Sequence, residues 1–362
     1  MARLELEGVS KAYGGIAAVS DVDLTVEDNE FFCIFGPPSC GKTTLLKLWL
    51  GLRQPDRGRV LIDGRDMAGI LPGERDLAMV FQNLALFPHM SAKENIAFPL
   101  RERGAPAAEI ERRVADAANR LHIAPLLHKN PGQLSGGERQ RVAIGRTLVR
   151  VPRAFLMDEP IAALDARLRE EMRVELKRLQ RELRHTLIYV THDQEEAMSI
   201  ADRMAIMREG RIVQTGTPDE IYNAPVDRYV ATLVGSPPMN VVGGRLSNGS
   251  FRDAEGRISL ALAADCPDGP VDLGIRPEDL HLVAGEAAPQ DIRGEVQVIE
   301  PLGAFTIVDV MVGATLLRID APGQPDLRLD QPVALKLRPD ACYLFNPADG
   351  RTIWPHRCQP ER

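Results

Sequence analysis

The chain has 362 residues, 44% of them hydrophobic and 26% charged, with a formal net charge of −7. That is enough polypeptide for two or three domains with cores of their own, and the acidic balance argues against a nucleic-acid binder held by a basic surface. No run of about 18 apolar residues occurs, so no membrane-spanning helix is predicted. Acidic residues among Met1–Glu7 predict the absence of a secretory leader. The five cysteines (Cys33, Cys40, Cys266, Cys342, Cys358) are scattered and form no C-x-x-C, which argues against a disulfide framework or a zinc site and fits a reducing cytosol.

Leu4 to Glu7 and Val22 to Val26 alternate apolar and charged residues, predicting half-buried strands of an antiparallel edge sheet. Between them, Lys11-Ala12-Tyr13-Gly14-Gly15 reads either as a turn with a surface ring or as a stacking platform for a purine base. Phe31 to Phe35 is a continuous apolar run, and Leu45 to Leu50 is a good helix former. The segment joining them is Gly36-Pro37-Pro38-Ser39-Cys40-Gly41-Lys42-Thr43-Thr44, which fits G-x-x-x-x-G-K-[ST]. Strand, loop and helix in that order predict a phosphate loop. Backbone N–H groups wrap the phosphates, the helix N-terminus adds a positive field, Lys42 brings a point charge and the Thr43 hydroxyl is placed for Mg²⁺.

Further strands are predicted at Val60–Ile62 and Leu77–Phe81, the latter ending at Gln82. Ile110, Val114, Ala117, Ala118 and Leu121 share one helical face. Gln133-Leu134-Ser135-Gly136-Gly137-Glu138 opens a helix running to Arg150. Ser135 is both a capping-box residue and part of an unobstructed first turn of N–H groups. Ala154 to Met157 is an apolar strand ending in Asp158-Glu159, and buried-strand carboxylates are costly unless they meet a cation or a donor. Helix 166–184 carries a core stripe of Leu168, Met172, Leu176, Leu179 and Leu183, and strand Leu187–Val190 leads into Thr191-His192-Asp193. Met204–Met207 is one more strand. A helix starts at Thr217-Pro218-Asp219-Glu220, and a short amphipathic stretch covers Val226–Val234.

Past Gly235-Ser236-Pro237-Pro238 the signals become short alternating strands with Gly/Pro turns (258–262, 271–275, 295–299, 306–310, 315–319, 333–337), predicting a small all-β barrel or sandwich. Residues 240–362 hold 12 basic and 18 acidic side chains, so nearly all the net charge lies here.

Phosphate loop, glutamine after a strand, Leu-Ser-Gly-Gly-Glu, apolar strand into Asp-Glu, and strand into histidine stand in one order. That combination resembles the ATPase subunits of ABC transporters. Phe87-Pro88-His89-Met90, Glu94–Phe98, Gly235–Asn240 and Gly274-Ile275-Arg276-Pro277-Glu278 are similar to the maltose-type and glycerol-phosphate-type importers, so the resemblance covers the whole chain. It implies an α/β P-loop NTPase over residues 1–235, with a RecA-like core, an antiparallel β subdomain and a helical subdomain at about 86–152. A C-terminal β-rich TOBE/OB-like domain over 236–362 follows, with a regulatory part.

The resemblance also implies roles. ATP would be the nucleotide, held by Gly36, Pro37, Pro38, Ser39, Cys40, Gly41, Lys42, Thr43 and Thr44, with Tyr13 stacked on adenine. Thr43, Gln82 and Asp158 would hold Mg²⁺. Glu159 would activate the attacking water, and His192 would hold it in line with the γ-phosphate, with Lys42 also catalytic. Ser135, Gly136, Gly137 and Gln140 would contact ATP bound to a second copy in a head-to-tail homodimer. Gln82–Met90 would line a groove for a helix of one of two integral membrane permease subunits, fed by an extracytoplasmic solute-binding protein. The chain would then lie peripherally on the cytoplasmic face of a bacterial inner membrane, without nucleic acid. Sugar or glycerol phosphate leads as solute; polyamine, iron or thiamine importers, a non-transport ABC ATPase on ribosomes or DNA, and a binding-only subunit are the alternatives.

The chain departs from the family at Pro38 (usually serine), Ser39 (usually glycine), Leu84 (often aromatic) and Ile161-Ala162-Ala163 (usually leucine, serine, asparagine). Proline removes an N–H, and a positive φ at Ser39 would cost roughly 1 kcal/mol.

Overall fold

A computed structural model describes the chain except for residues 1, 82, 151, 163, 263–265, 285 and 355–362, and the side chain at 183. Gln82, Ala163, Cys358 and the Leu183 side chain, all named above, therefore lie outside the described part. The chain divides into two compact units, Met1–Pro218 and Asp219–Arg362.

In the first unit, β1 (Leu4–Tyr13) and β2 (Ile16–Val26) form a long antiparallel pair. β3 (Phe31–Phe35) is buried at every position and runs into α1 (Lys42–Leu50). Then follow β4 (Arg57–Ile62), β5 (Arg65–Asp66), β6 (Leu77–Val80), α2 (Ala92–Glu102), α3 (Ala107–Arg120), α4 (Gly136–Leu148), β7 (Ala154–Asp158), α5 (Ala166–Leu183), β8 (Thr186–Thr191), α6 (Gln194–Ile200), β9 (Arg203–Arg208) and β10 (Arg211–Gly216). One sheet has the order β2-β1-β4-β5 and is the expected antiparallel subdomain; the other has the order β10-β9-β3-β8-β7-β6. Strands β9 to β6 of the second sheet are parallel, which explains their continuous apolar runs, since both faces are covered. The core joins both sheets through Leu4, Val26, Phe32, Ile34, Leu45, Trp49, Leu156 and Val190.

Register decides where function can sit. Phe35 pairs with Thr191, and Asp158 pairs with Val190. The carboxyl ends of β3, β7 and β8 therefore finish in one row, the edge of an open α/β sheet where ligands bind.

The helical part follows its pattern. Ile110, Val114, Ala117, Ala118 and Leu121 are buried, and Ser91 and Ser135 close capping boxes with Glu94 and Glu138. Asn95 is fully buried. It accepts from the Phe87 N–H and donates to the carbonyls of Phe87, Met90 and Ser91, which gives a physical reason for the Phe87–Met90 and Asn95 pattern.

The second unit contains the short helices α7 (Pro218–Asn223) and α8 (Arg228–Leu233), then β11 (Asn240–Ser247), β12 (Ser250–Asp253), β13 (Ser259–Ala261), β14 (Gly269–Ile275), β15 (Leu280–Leu282), β16 (Ile292–Pro301), β17 (Phe305–Val312), β18 (Thr315–Pro322), β19 (Pro332–Leu337), β20 (Cys342–Phe345) and β21 (Thr352–Trp354). They form antiparallel sheets ordered β13-β12-β11-β14-β20-β21 and β15-β19-β16-β17-β18 around one core that includes Leu246, Phe251, Leu273, Val296, Val310, Leu317 and Leu344. Asn240 ties the sheets: its Nδ2 donates to the Ile275 and Arg318 carbonyls, and its Oδ1 accepts from the Arg318 N–H.

The second compact unit takes in α8 and most of α7 ahead of the β-strands, and Arg276 links them. It is 2% exposed, stacks 3.9 Å over the Tyr222 ring and donates to the carbonyls of Tyr222, Ala231 and Val234. Those bonds fasten α7 and α8 to the β-domain.

Candidate functional site

The phosphate loop is shaped by close backbone approaches. A Cβ on Gly36 would stand 2.3 Å from the Met207 carbonyl oxygen, and one on Gly41 would stand 2.3 Å from that of Ala18. Gly41 also has φ 111° and is the N-cap of α1 without a side-chain cap, so the first N–H groups of the helix have no side chain over them. Lys42 is 5% exposed and donates to the Gly36 and Pro37 carbonyls, both at 2.8 Å. Cys40 is buried with Sγ 3.9 Å from Lys42 Nζ, and burial pushes its thiol above the ordinary range.

The Thr43 hydroxyl donates to Asp158 Oδ1 at 3.1 Å. Asp158 is 3% exposed; burial raises its carboxyl above the usual range, the Thr43 bond opposes this, and Glu159 raises it further. Glu159 has φ 48° and donates its N–H to Val190. An L-residue in that region costs about 1–2 kcal/mol, and such strain clusters at active sites. His192 is half exposed, with Nδ1 2.9 Å from Glu159 Oε1. The loop residues Pro38, Ser39, Gly41, Lys42, Thr43 and Thr44 line one open cavity of about 490 Å³ with Glu159, His192 and Ala18.

Other expected residues lie outside this cavity. Tyr13 ends β1 with its ring 41% exposed and Lys11 Nζ 5.8 Å from its centroid. Ser135 is exposed at the start of α4, with Gly136 and Gly137 partly exposed in its first turn. Gln140 is different: it is 2% exposed and its Nε2 lies 3.5 Å from the Glu159 carbonyl of the same chain. The α4 helix turns this residue inward, so a contact with a nucleotide on a second copy requires it to leave that position.

Ser39 has φ 63°, as feared from the sequence. Ser39→Gly is expected to stabilise the chain by about 1 kcal/mol, read as a higher melting temperature; an unchanged melt contradicts strain at this position. At the other departure, Ile161 is buried and Ala162 exposed.

The sequence reading missed several contacts. Arg146 donates to the carbonyls of Leu84 and Ala85, which carry φ 59° and 45°. The Arg146 head thus holds a strained turn at the start of the helical subdomain. Ala18 and the interactions around Glu196 were also unread. An Asp193-x-x-Glu196 capping pattern was the available signal for the latter.

Could the residues hold Mg²⁺? Thr43 and Asp158 give an all-oxygen pair. That fits Mg²⁺, which is bound through one or two protein oxygens plus substrate phosphates.

A phosphate loop at the carboxyl edge of a parallel sheet, facing an acidic strand end and a histidine, is the arrangement of a P-loop ATPase. The ABC transporter family model matches residues 19–162, the MalK OB fold domain residues 235–280 and the TOBE domain residues 273–345. The sn-glycerol-3-phosphate import ATP-binding protein UgpC 3 of Rhizobium etli is 44% identical over 353 residues, covering 97% of this chain and 99% of its own. The trehalose/maltose import ATP-binding protein MalK of Thermococcus litoralis is 42% identical over 373 residues, covering 98% and 100%. The dimeric post-hydrolysis ATP-binding cassette MJ0796 with ADP and Pi superimposes with a TM-score of 0.56 at 32% identity, over 59% of this chain and 98% of that one. The chain belongs to the ABC transporter ATP-binding subunits, in the importer branch of UgpC and MalK. It is an ATPase, and its class dimerises and works with membrane permeases.

Proposed function

We propose that the chain hydrolyses MgATP in two composite sites of a head-to-tail homodimer and so drives uptake of glycerol phosphate or a sugar through two permease subunits. The supporting observation is the convergence of loop, Glu159 and His192 on one open cavity, with Asp158 bonded to the Thr43 hydroxyl, while Ser135, Gly136 and Gly137 stay outside it, exposed or partly so. In this reading a second copy supplies its Ser135–Gly137 turn as the cover, the α4 N-terminus aimed at the γ-phosphate. Tyr13 stacks on adenine. Lys42 and the loop N–H groups take the phosphate oxygens in place of the Gly36 and Pro37 carbonyls. Thr43 and Asp158, with Gln82, hold Mg²⁺, which would neutralise phosphate charge. Glu159 accepts the proton of the attacking water and His192 fixes both Glu159 and the γ-phosphate in line.

No helix among the described residues is long and apolar enough to cross a membrane. The chain would instead dock peripherally, at the cytoplasmic face of a bacterial inner membrane, where a solute-binding protein delivers cargo from the other side. An apolar groove of about 540 Å³, lined by Met79, Phe81, Ala85, Phe87, Phe98 and Arg146 among others, is suited to a short permease helix. Arg146 spans groove and strained turn, so a helix seated there would bear on the segment that leads to Gln82.

The test is uptake into proteoliposomes carrying the chain and its co-encoded permeases. ATP-dependent accumulation of sn-glycerol 3-phosphate or of a maltose-type sugar is expected. Accumulation of neither, with ATP turnover intact, contradicts the solute assignment. The double variant Pro38→Ser/Ser39→Gly is expected to bind ATP more tightly or turn it over faster, measured by nucleotide titration and phosphate release; equal constants would show that the unusual loop is neutral.

A further inference from the structure

His192 sits on a loop whose flanking residues are both fixed by one buried polar network. Glu196, at the start of α6, is 2% exposed, and its Oε2 accepts from Tyr189 Oη at 2.8 Å and from Thr191 Oγ1 at 2.7 Å. Thr191 Oγ1 in turn accepts from the Asp193 N–H at 2.9 Å, and Asp193 Oδ1 caps α6 by accepting from the Glu196 N–H at 3.1 Å. His192 lies between Thr191 and Asp193, so its backbone is held on both sides although its ring is half exposed.

The cation that serves this network comes from another element. Arg169, one turn into α5, donates through Nη1 to Asp193 Oδ2 at 3.2 Å and through Nη2 to the Leu164 carbonyl at 3.2 Å, while its Nε lies 3.9 Å from Glu196 Oε1. Leu164 lies five residues after Glu159 in the chain. A planar guanidinium can hold a carbonyl and a carboxylate in one fixed fork. An ammonium cannot.

We propose that Arg169 is a positioning residue for ATP hydrolysis, locking Leu164 to the loop that carries His192. Movement at Leu164 then displaces the histidine that faces Glu159 and the γ-phosphate. Two features favour this over a purely structural role. Arg169 spends its donors on a carbonyl and a carboxylate from two loops at the site's edge, not on its own helix. Burial raises the Glu196 carboxyl, and Arg169 is among the groups that oppose this by favouring its charged form. The proposal rests on the reading of His192 given above.

The experiment is a double-variant cycle on the purified full-length chain, with phosphate release and nucleotide binding as readouts. Arg169→Ala is expected to lower kcat about tenfold, since small misplacements of a catalytic group cost up to about 100-fold. KM and nucleotide affinity should change less than twofold. In a His192→Ala background the same substitution is expected to add almost nothing, because the group it positions is gone. Arg169→Lys should show a smaller loss of the same sign, and it carries the cycle if alanine unfolds the chain. An undiminished loss in the His192→Ala background, or unchanged kcat in Arg169→Ala, overturns the proposal. Normal turnover in His192→Ala alone overturns the underlying reading of His192 and the proposal with it.

Discussion

Glu159→Gln is expected to lower ATP turnover by at least about 100-fold, the lower end of what a general base contributes, while nucleotide affinity stays nearly constant. The substitution preserves shape and can keep a contact with His192 Nδ1, now 2.9 Å from Glu159 Oε1. What it removes is a proton acceptor. The backbone singles this residue out: Glu159 holds φ 48° at the end of β7 although an L-residue is disfavoured there, and its N–H is tied to Val190 in β8. That strain aims the carboxylate into the cavity shared with the loop and His192. Phosphate release and a binding titration check this together. Equal slow turnover in wild type and variant would remove Glu159 from catalysis and favour a binding-only subunit.

Lys42→Ala is expected to weaken nucleotide binding by roughly 100-fold, equivalent to about 3 kcal/mol for loss of a buried, hydrogen-bonded charge. The ammonium is already desolvated at 5% exposure and bonded to the Gly36 and Pro37 carbonyls. Phosphate oxygens carry more charge than carbonyls, so exchange toward the nucleotide is favourable. Removing the lysine should leave the fold intact, because the loop's shape is set by Gly36 and Gly41 against the Met207 and Ala18 carbonyls. Titration with a fluorescent ATP analogue reads the effect. Unchanged affinity would place the phosphates elsewhere.

Much of the site was legible because short apolar strands end abruptly in chemistry-bearing residues. Phe31–Phe35, Ala154–Met157 and Leu187–Val190 are buried on both faces, so composition alone marks them, and parallel pairing brings their ends together. Partly exposed strands lacking the alternation that marked Leu4–Glu7 and Val22–Val26 were not legible. β10 is partly exposed along most of its length and is defined by a tight hairpin at Glu209-Gly210, both at positive φ. β11 carries Gly243-Gly244, which interrupt its alternation. The α2 helix contains Pro99, which obscured a helix that Ser91 and Asn95 nonetheless secure. Within the signature segment Ser135 is exposed whereas Gln140 is buried, because which way the second turn of α4 faces depends on packing against the Glu159 segment. The Arg169 network is tertiary, joining residues on three elements, and no local pattern announces it.

The central claim is that the site is completed by a second copy. The most direct measurement is cross-linking with a short bis-maleimide between two chains whose native cysteines are replaced, one carrying Ser39→Cys and the other Ser135→Cys, both with Glu159→Gln. The account predicts a cross-linked heterodimer that forms with MgATP and not without nucleotide. No cross-link with MgATP bound, or an equal yield in its absence, would contradict it.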